Sequence, residues 1–195
     1  AFERAKAINP DFTRGYVRTA DLLVARGQPE AARKQYERAL ALDPADRHAR
    51  WQRGRLSLLQ GDFDSGWDDF DARPGAAVPE ALADTPRWAG EDPAGLTVLV
   101  RGEYDPRETI QGLRFVPRLA ARGARVVLDV DPTFQPLLPD WDGVVIAEPG
   151  VPHPPVDAWS PLGDLVRHLC AAPAEQPATV PYLRPPTARV RAAGA

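Results

Sequence analysis

The residues best able to do chemistry cluster in one polar loop, between an apolar segment that ends near residue 101 and a helical pattern that follows. They are Glu103, Arg107, Glu108, Thr109 and Gln111, which together offer carboxylates, a guanidinium, a hydroxyl and an amide. In parallel sheets, ligands usually bind at the loop that leaves the carboxyl end of a strand. A guanidinium and free backbone amides at such a place can bind a phosphate. This loop is therefore the first candidate for an anion site.

The same loop also has a structural interpretation. Asp105, Pro106 and Glu108 have the spacing of a capping box, in which the side chain of Asp105 takes the free amides of the helix start. Two carboxylates oppose a phosphate, and proline has no amide to offer. The sequence thus allows a weakened anion site or a self-capped helix, and we expect anion binding here to be impaired.

A second pair of carboxylates, Asp129 and Asp131, has the Asp-x-Asp spacing that can hold a metal ion and a diphosphate. Asp131 is also followed by Pro132, which is typical of a helix start. The three histidines have no spacing that makes a metal site. We predict that the chain holds no metal and no cofactor.

Apolar segments that alternate with helical patterns must position this chemistry. Such an alternation predicts right-handed crossovers and a parallel sheet. The predicted strands are 97–101, 125–130, 143–147 and, more weakly, 157–159.

Three cap–proline pairs predict helix starts in the same region. They are Asp105-Pro106, Asp131-Pro132 and Ser160-Pro161. Pro117 falls inside the helix predicted after the first strand, where it should cause a kink.

The first third of the chain is a helical repeat. Pro10 and Pro44 lie about 34 residues apart, and the segment between them, DFTRGYVRTADLLVARGQPEAARKQYERALALDP, resembles the tetratricopeptide consensus. Tyr16 and Tyr36 take aromatic positions, and Ala20, Ala32 and Ala39 take the small crossing positions, where two helices must approach closely. AFERAKAIN matches the end of a preceding repeat, and a third, decaying copy follows residue 45.

The helices expected on the concave face of these repeats carry Arg14, Arg18, Asp21, Gln52 and Arg55. One interpretation is a groove for a protein or peptide that favours acidic or carboxylate groups. The other is a solvated, arginine-rich helix face.

The bulk composition narrows the possible partners and the location. A net charge of −3 gives no basic excess for nucleic acid, and no apolar run reaches membrane-spanning length. A lone cysteine fits a reduced, cytoplasmic location. The chain has no methionine and opens in a helical pattern, so we expect the true N-terminus to be missing.

The order of segments resembles a known family. LLQGDFDSGWDDFDAR, PRWAG, LVRGEYDPRETIQGLRFVPRLAARGARVVLDVDP and VPYLRPP together resemble bacterial tetratricopeptide proteins fused to a GT-B glycosyltransferase domain of the heptosyltransferase type. Relatives carry a loop of the kind EQGLGDTIQ. Here Glu103, Thr109 and Gln111 match, while Asp105 and Arg107 replace both glycines.

The resemblance implies repeats at 1–73, a linker at 74–95, the Rossmann-like N-terminal half of the GT-B domain at 96–185, and a tail at 186–195 leading to a missing half. The fold class is then α plus α/β, a short solenoid followed by a parallel-sheet half domain. It implies the N-terminal part of a glycosyltransferase-like protein whose repeats recruit an acceptor and which is inactive alone. A nucleotide-sugar would bind only in a longer chain. The alternative is a non-catalytic interaction module.

Overall fold

The computed structural model of the chain describes residues 12–103, 105–170 and 182–183. These residues form two compact units, Ala1–Ala77 and Val78–Ala195. The repeat remnant predicted at residues 1–9 and the tail predicted at 186–195 lie outside the described residues.

The described residues of the first unit form two helix pairs. Its helices are α1 (Thr13–Ala25), α2 (Pro29–Leu42), α3 (Arg47–Leu59) and α4 (Phe63–Phe70). Pro29 stands in the first turn of α2, where its missing N–H is not needed. Asp46 caps α3 by accepting from the Ala49 amide at 2.9 Å. Gly27 has a φ of 69° in the turn between α1 and α2, a conformation that glycine adopts without strain.

Small residues let these helices approach, as the repeat pattern predicts. Ala20, Ala32 and Ala39 are completely buried and share a core with Tyr36. A Cβ atom on Gly54 would lie 2.6 Å from the backbone nitrogen of Phe70, so only glycine fits where α3 crosses α4. The helical part of the predicted fold is therefore confirmed in its packing.

The second unit is built on a four-stranded, wholly parallel sheet, which confirms the predicted fold class. Its strands are β1 (Thr97–Arg101), β2 (Arg125–Asp129), β3 (Val144–Ile146) and β4 (Ala158–Pro161), in the spatial order β3-β2-β1-β4. β1 has its predicted bounds. The predicted strands 125–130 and 143–147 are longer than the observed ones, and the one predicted at 157–159 starts one residue later and extends to Pro161.

The predicted single helix after β1 is instead two helices, α5 (Pro106–Leu113) and α6 (Val116–Ala121). Pro117 lies in the first turn of α6. Because proline cannot donate a helical hydrogen bond, the chain ends one helix and starts another instead of bending a continuous one.

The helix start predicted at Ser160-Pro161 is wrong. Both residues belong to β4, and Pro161 pairs with Arg101 of β1. The following helix, α7 (Asp164–Leu169), begins after Gly163. Pairing with β1 outweighs the local cap pattern because it buries the end of β4 completely. Asp131 does start a helix, but a short 3-10 helix, Pro132–Leu137.

The segment before β1 is part of the second unit. Trp88 is completely buried in its core, and its indole Nε1 donates to the Glu91 carbonyl at 3.0 Å. The Trp88 amide donates to the Trp159 carbonyl at 2.8 Å, so this segment covers the outer edge of β4. Leu82 packs with Leu99 and Trp159 on the other face of the sheet.

Candidate functional site

The candidate loop leaves β1 at the point where the strand order reverses. The chain passes from β1 to β2 on one side, and β4 lies on the other side. In open α/β sheets, ligands bind at the carboxyl ends of the strands at such a reversal. Here the carboxylate of Glu103 accepts a hydrogen bond from the Gly163 amide, in the loop after β4, at 2.6 Å. A carboxylate of the protein therefore already uses that amide.

Thr109 holds the first part of this loop in place. Its side chain is buried, its Oγ1 accepts from the Glu103 amide at 3.1 Å, and its hydroxyl lies 3.2 Å from the Glu103 carbonyl. Thr109 and Glu103 are thus brought together in a closed network. Neither group points to an empty anion site.

Asp105 is the N-cap of α5, as the capping pattern predicts. Its Oδ1 accepts from the Arg107 amide at 2.8 Å, and its Oδ2 lies 2.7 Å from Nη2 of Arg107. The bond to Asp105 raises the pKa of the Arg107 guanidinium. The side chain of Arg107 is 82% exposed, whereas that of Asp105 is only 23% exposed. The one cation of the loop is therefore balanced within the loop.

The other two predicted loop residues lie along α5. Glu108 is partly buried in the first turn, and Gln111 is exposed. Their part in donor binding remains a prediction. The same helix packs closely against the loop after β4. A Cβ atom added to Gly112 would lie only 2.5 Å from Cγ of Leu162.

The Asp-x-Asp pair does not form a common site. Asp129 accepts from Nε of Arg101 at 3.1 Å, at the ends of β1 and β2. Asp131 accepts from the Thr133 amide at 2.8 Å and from its hydroxyl at 2.6 Å, and these bonds lower the pKa of Asp131. Within the described residues, no group of three or more potential ligands is placed to hold a metal ion.

Residues predicted on the concave face of the repeats make contacts that centre on Asp21. The Tyr36 hydroxyl donates to its Oδ1 at 2.8 Å, and Nη1 of Arg18 lies 3.4 Å from its Oδ2. Nε2 of His48 lies 3.9 Å from the same Oδ2. Burial, followed by the bond to Asp21, raises the pKa of Tyr36, so its hydroxyl remains a donor. The negative charge of Asp21 is thereby satisfied from three helices.

The α3 side of this face is organised around an indole ring. The His48 ring packs edge-on against Trp51 with 5.9 Å between centroids, and the Arg55 guanidinium lies 5.6 Å from the centroid of the Trp51 ring. Arg55 also donates to Oε1 of Gln52 at 3.2 Å. The Trp51 Nε1 is buried and has no hydrogen-bond partner in the part of the chain that the structure describes.

Four of the five predicted groove residues thus belong to one chain of contacts, which we call the concave cluster. Its members are Arg18, Asp21, Tyr36, His48, Trp51, Gln52 and Arg55. Arg14 is exposed and takes no part in the contacts recorded for this cluster.

Sequence reasoning missed Tyr36, His48 and Trp51 as members of the cluster. Tyr36 was predicted only to take an aromatic position of the repeat. The signal for the other two is their spacing, because His48, Trp51 and Arg55 stand three and four positions apart and therefore share one helix face.

A separate cavity of about 380 Å³ lies between α2, α3 and α4. Its lining carries charges of both signs and two hydroxyls, from Arg33, Glu37, Arg53, Ser57, Ser65, Asp68 and Asp69. Arg53 holds the buried Asp69 with contacts of 2.5 and 3.1 Å. This ion pair ties α3 to α4 beneath the cavity.

Comparison with known proteins supports the repeat interpretation. The family model described as Tetratricopeptide repeat matches residues 13–56, which span α1, α2 and most of α3. The predicted tetratricopeptide repeats are therefore confirmed over these residues. Such repeats generally mediate contacts between proteins. No curated protein matches the chain.

Among solved structures, a variant of the O-GlcNAc transferase of Thermobaculum terrenum is similar at 15% identity. The alignment covers 66% of this chain and 26% of that one, with a TM-score of 0.37. The chain thus spans about a quarter of the length of that structure, and this TM-score is too low to establish a shared fold. No helix among the described residues is both long and apolar enough to cross a membrane.

Proposed function

We propose that this chain is the N-terminal part of a bacterial, cytoplasmic glycosyltransferase-like protein. Its repeats recruit a protein or peptide acceptor, and the chain transfers no sugar by itself. The concave cluster supports the proposed recruitment, because four predicted groove residues meet there on helices that match the tetratricopeptide family. The transferase relationship rests on the sequence resemblance.

The bonds at the sheet edge support the proposed inactivity. A diphosphate at the carboxyl ends of β1 and β4 needs free amides and positive charge. Glu103 instead occupies the Gly163 amide, and Asp105 occupies both the Arg107 amide and its guanidinium. A phosphate would have to displace two carboxylates, whose charge repels it.

The same bonds favour a second candidate function, a non-catalytic interaction module. A transferase fold that has filled its own donor loop could persist as a support for the repeats. The two candidates differ in a longer chain, where a nucleotide-sugar would bind if the protein is a transferase and would not bind if it is an interaction module.

Recruitment is tested by selecting random phage-displayed peptides on the chain and measuring their affinities by calorimetry. We expect Gln52→Ala to weaken the selected peptides, whereas Lys34→Ala, an exposed change on α2, leaves them unaffected. Selected peptides that respond equally to both variants, or no selected peptides at all, would show that the concave face does not recruit proteins.

Donor binding is tested by calorimetry with uridine, guanosine and adenosine diphosphates. We expect none of them to bind the chain, and labelled nucleotide-sugars to give no transfer in cell extract. Micromolar binding of one diphosphate would contradict the proposed filling of the loop. Transfer that depends on the added chain would contradict its inactivity.

A further inference from the structure

The four arginines of α3 differ in what they contact. Arg50 and Arg53 pair with Asp69 of α4, and Arg47 donates to the Arg73 carbonyl at 3.4 Å. Arg55 has no carboxylate at ion-pair distance among the described residues. Its recorded partners are the neutral amide of Gln52 and the Trp51 ring. The concave cluster therefore contains a guanidinium without a carboxylate partner among the described residues.

The Nε1–H of the neighbouring indole has no acceptor among the described residues. Burying an N–H without an acceptor costs free energy, and native proteins rarely leave such a group unpaired. The Trp51 Nε1 is such a group, and it lies on the residue that Arg55 covers. An acceptor supplied from outside the described residues would satisfy it.

No acidic group of the cluster remains for a basic ligand. The only carboxylate, Asp21, accepts from Tyr36 and contacts both Arg18 and His48. A cationic segment would have to break these contacts. An anionic segment meets Arg55 with its charge unbalanced.

We propose that the concave cluster binds a carboxylate of its partner, the side chain of an aspartate or glutamate in an acidic segment. Arg55 supplies the charge and the Trp51 Nε1–H supplies a second donor. A carboxylate has two oxygens and can accept from both. Because Nε1 is buried in the free chain, a side chain over the ring must shift, and Arg55 is the long, flexible one recorded there. The proposal rests on the recruitment function proposed above and names the chemistry of the recruited segment.

The test uses three fluorescein-labelled repeat peptides, Glu-Gly, Gln-Gly and Lys-Gly, and fluorescence anisotropy on the whole chain. We expect the Glu-Gly peptide to bind about tenfold more tightly than the Gln-Gly peptide, since hydrogen bonds to charged groups are the stronger ones. Arg55→Gln should remove about that tenfold for Glu-Gly and leave Gln-Gly unchanged. Trp51→Phe keeps a ring, removes the N–H and should weaken Glu-Gly binding a few-fold.

The matched control is Arg38→Gln, which removes the same charge from an exposed position of α2 and should change the affinity less than twofold. Circular dichroism of every variant confirms that it folds. Equal losses of affinity for the Glu-Gly peptide in Arg38→Gln and Arg55→Gln would show that only the total positive charge matters, and would overturn the proposal. Equal affinity for Glu-Gly and Gln-Gly, or no binding of Glu-Gly, would also overturn it. Recruitment would still stand in those cases if phage-selected peptides lose affinity with Gln52→Ala.

Discussion

Single side chains decide what the loop after β1 can bind. In a phosphate-binding loop, the amides at the start of the helix face a ligand. Here Asp105 faces them, and Glu103 reaches across to the neighbouring loop. In the sequence resemblance, Asp105 stands at a position where relatives carry glycine, whereas Glu103 matches them.

The cap can be tested directly. Asp105→Ala removes the acceptor of the Arg107 amide and should lower the free energy of unfolding by about 1 kcal/mol. Asp105→Asn keeps a cap oxygen and loses the ion pair with Arg107, so it should destabilise the protein less than Asp105→Ala. Urea unfolding followed by circular dichroism measures both. An Asp105→Ala protein as stable as the parent would show that the cap is not stabilising.

His168 should make stability depend on pH. Burial against Trp88 is the main cause that lowers its pKa, with Asp164 opposing. In the unfolded chain, His168 has the ordinary histidine pKa of about 6.5. It therefore binds a proton more readily in the unfolded chain than in the folded one. The contribution of the neutral His168 to the free energy of unfolding is thus complete above about pH 6.5 and is lost as the pH falls below it.

We expect the unfolding free energy to drop between about pH 7 and pH 5, and His168→Gln to reduce that drop. His153→Gln, at an exposed position, is the matched control and should leave the slope unchanged. The measurement is a series of urea melts across this range. An identical slope for His168→Gln and the parent would exclude this histidine as the cause.

At the scale of helices and strands, the sequence was most informative where burial is complete. β1 could be bounded correctly because an unbroken run of apolar, mostly β-branched residues fits a strand covered on both faces. The helix start predicted at Ser160-Pro161 was wrong because a cap–proline pair carries no information about a neighbouring strand with which the segment can pair. The split at Pro117 was missed for a similar reason, since the choice between a kink and two helices depends on what the helix packs against.

The register of the repeats predicts a contrast between two substitutions. Ala32→Leu must overpack a completely buried helix crossing and should cost on the order of 1–3 kcal/mol. Arg18→Ala removes only an exposed contact at 3.4 Å and should change stability by about half a kcal/mol or less. Ala41→Leu, at an exposed position of α2, controls for added bulk. Denaturant melts in which Arg18→Ala is the more damaging change would disprove the register.

The contact between α5 and the loop after β4 allows a double-mutant cycle. Gly112→Ala should cost about 1–3 kcal/mol, even though alanine favours helices over glycine by about 1 kcal/mol, because its Cβ atom would overlap Leu162. In a Leu162→Ala background, the same change should cost close to nothing. Urea melts of the four proteins give the coupling. If the two substitutions had additive effects on the free energy of unfolding, the loop after β4 would be able to move away from α5 at no cost.

At the scale of the whole molecule, the sequence predicted two architectures and their order, and it placed most of the groove residues on one face. It could not show that the Trp51 Nε1 has no acceptor among the described residues or that Asp21 accepts from Tyr36. Those facts depend on which side chains meet across α1, α2 and α3, and residue spacing within one helix does not contain them. The predicted linker limits remain a prediction, and they can be tested with fragments.

A fragment of residues 78–195 should fold cooperatively, whereas one of residues 96–195 should be far less stable. The shorter fragment loses Trp88, whose burial alone is worth about 3–5 kcal/mol, from a domain whose total stability is about 5–15 kcal/mol. It also loses Arg87, whose Nη2 lies 2.6 Å from the buried Asp164. Thermal melts by circular dichroism compare the two fragments. Equal midpoints would show that the segment before β1 is a true linker.

The pairing of β1 with β4 also affects the rate at which the chain folds. The contacts that close this pair, such as Glu103 with Gly163, join residues 60 positions apart, whereas Tyr36 meets Asp21 across only 15. Distant contacts require large loops to close before any stabilisation is gained, so the sheet assembles slowly and the repeats quickly. As the chain folds, the concave face with its indole and guanidinium is therefore complete before the parallel sheet has closed.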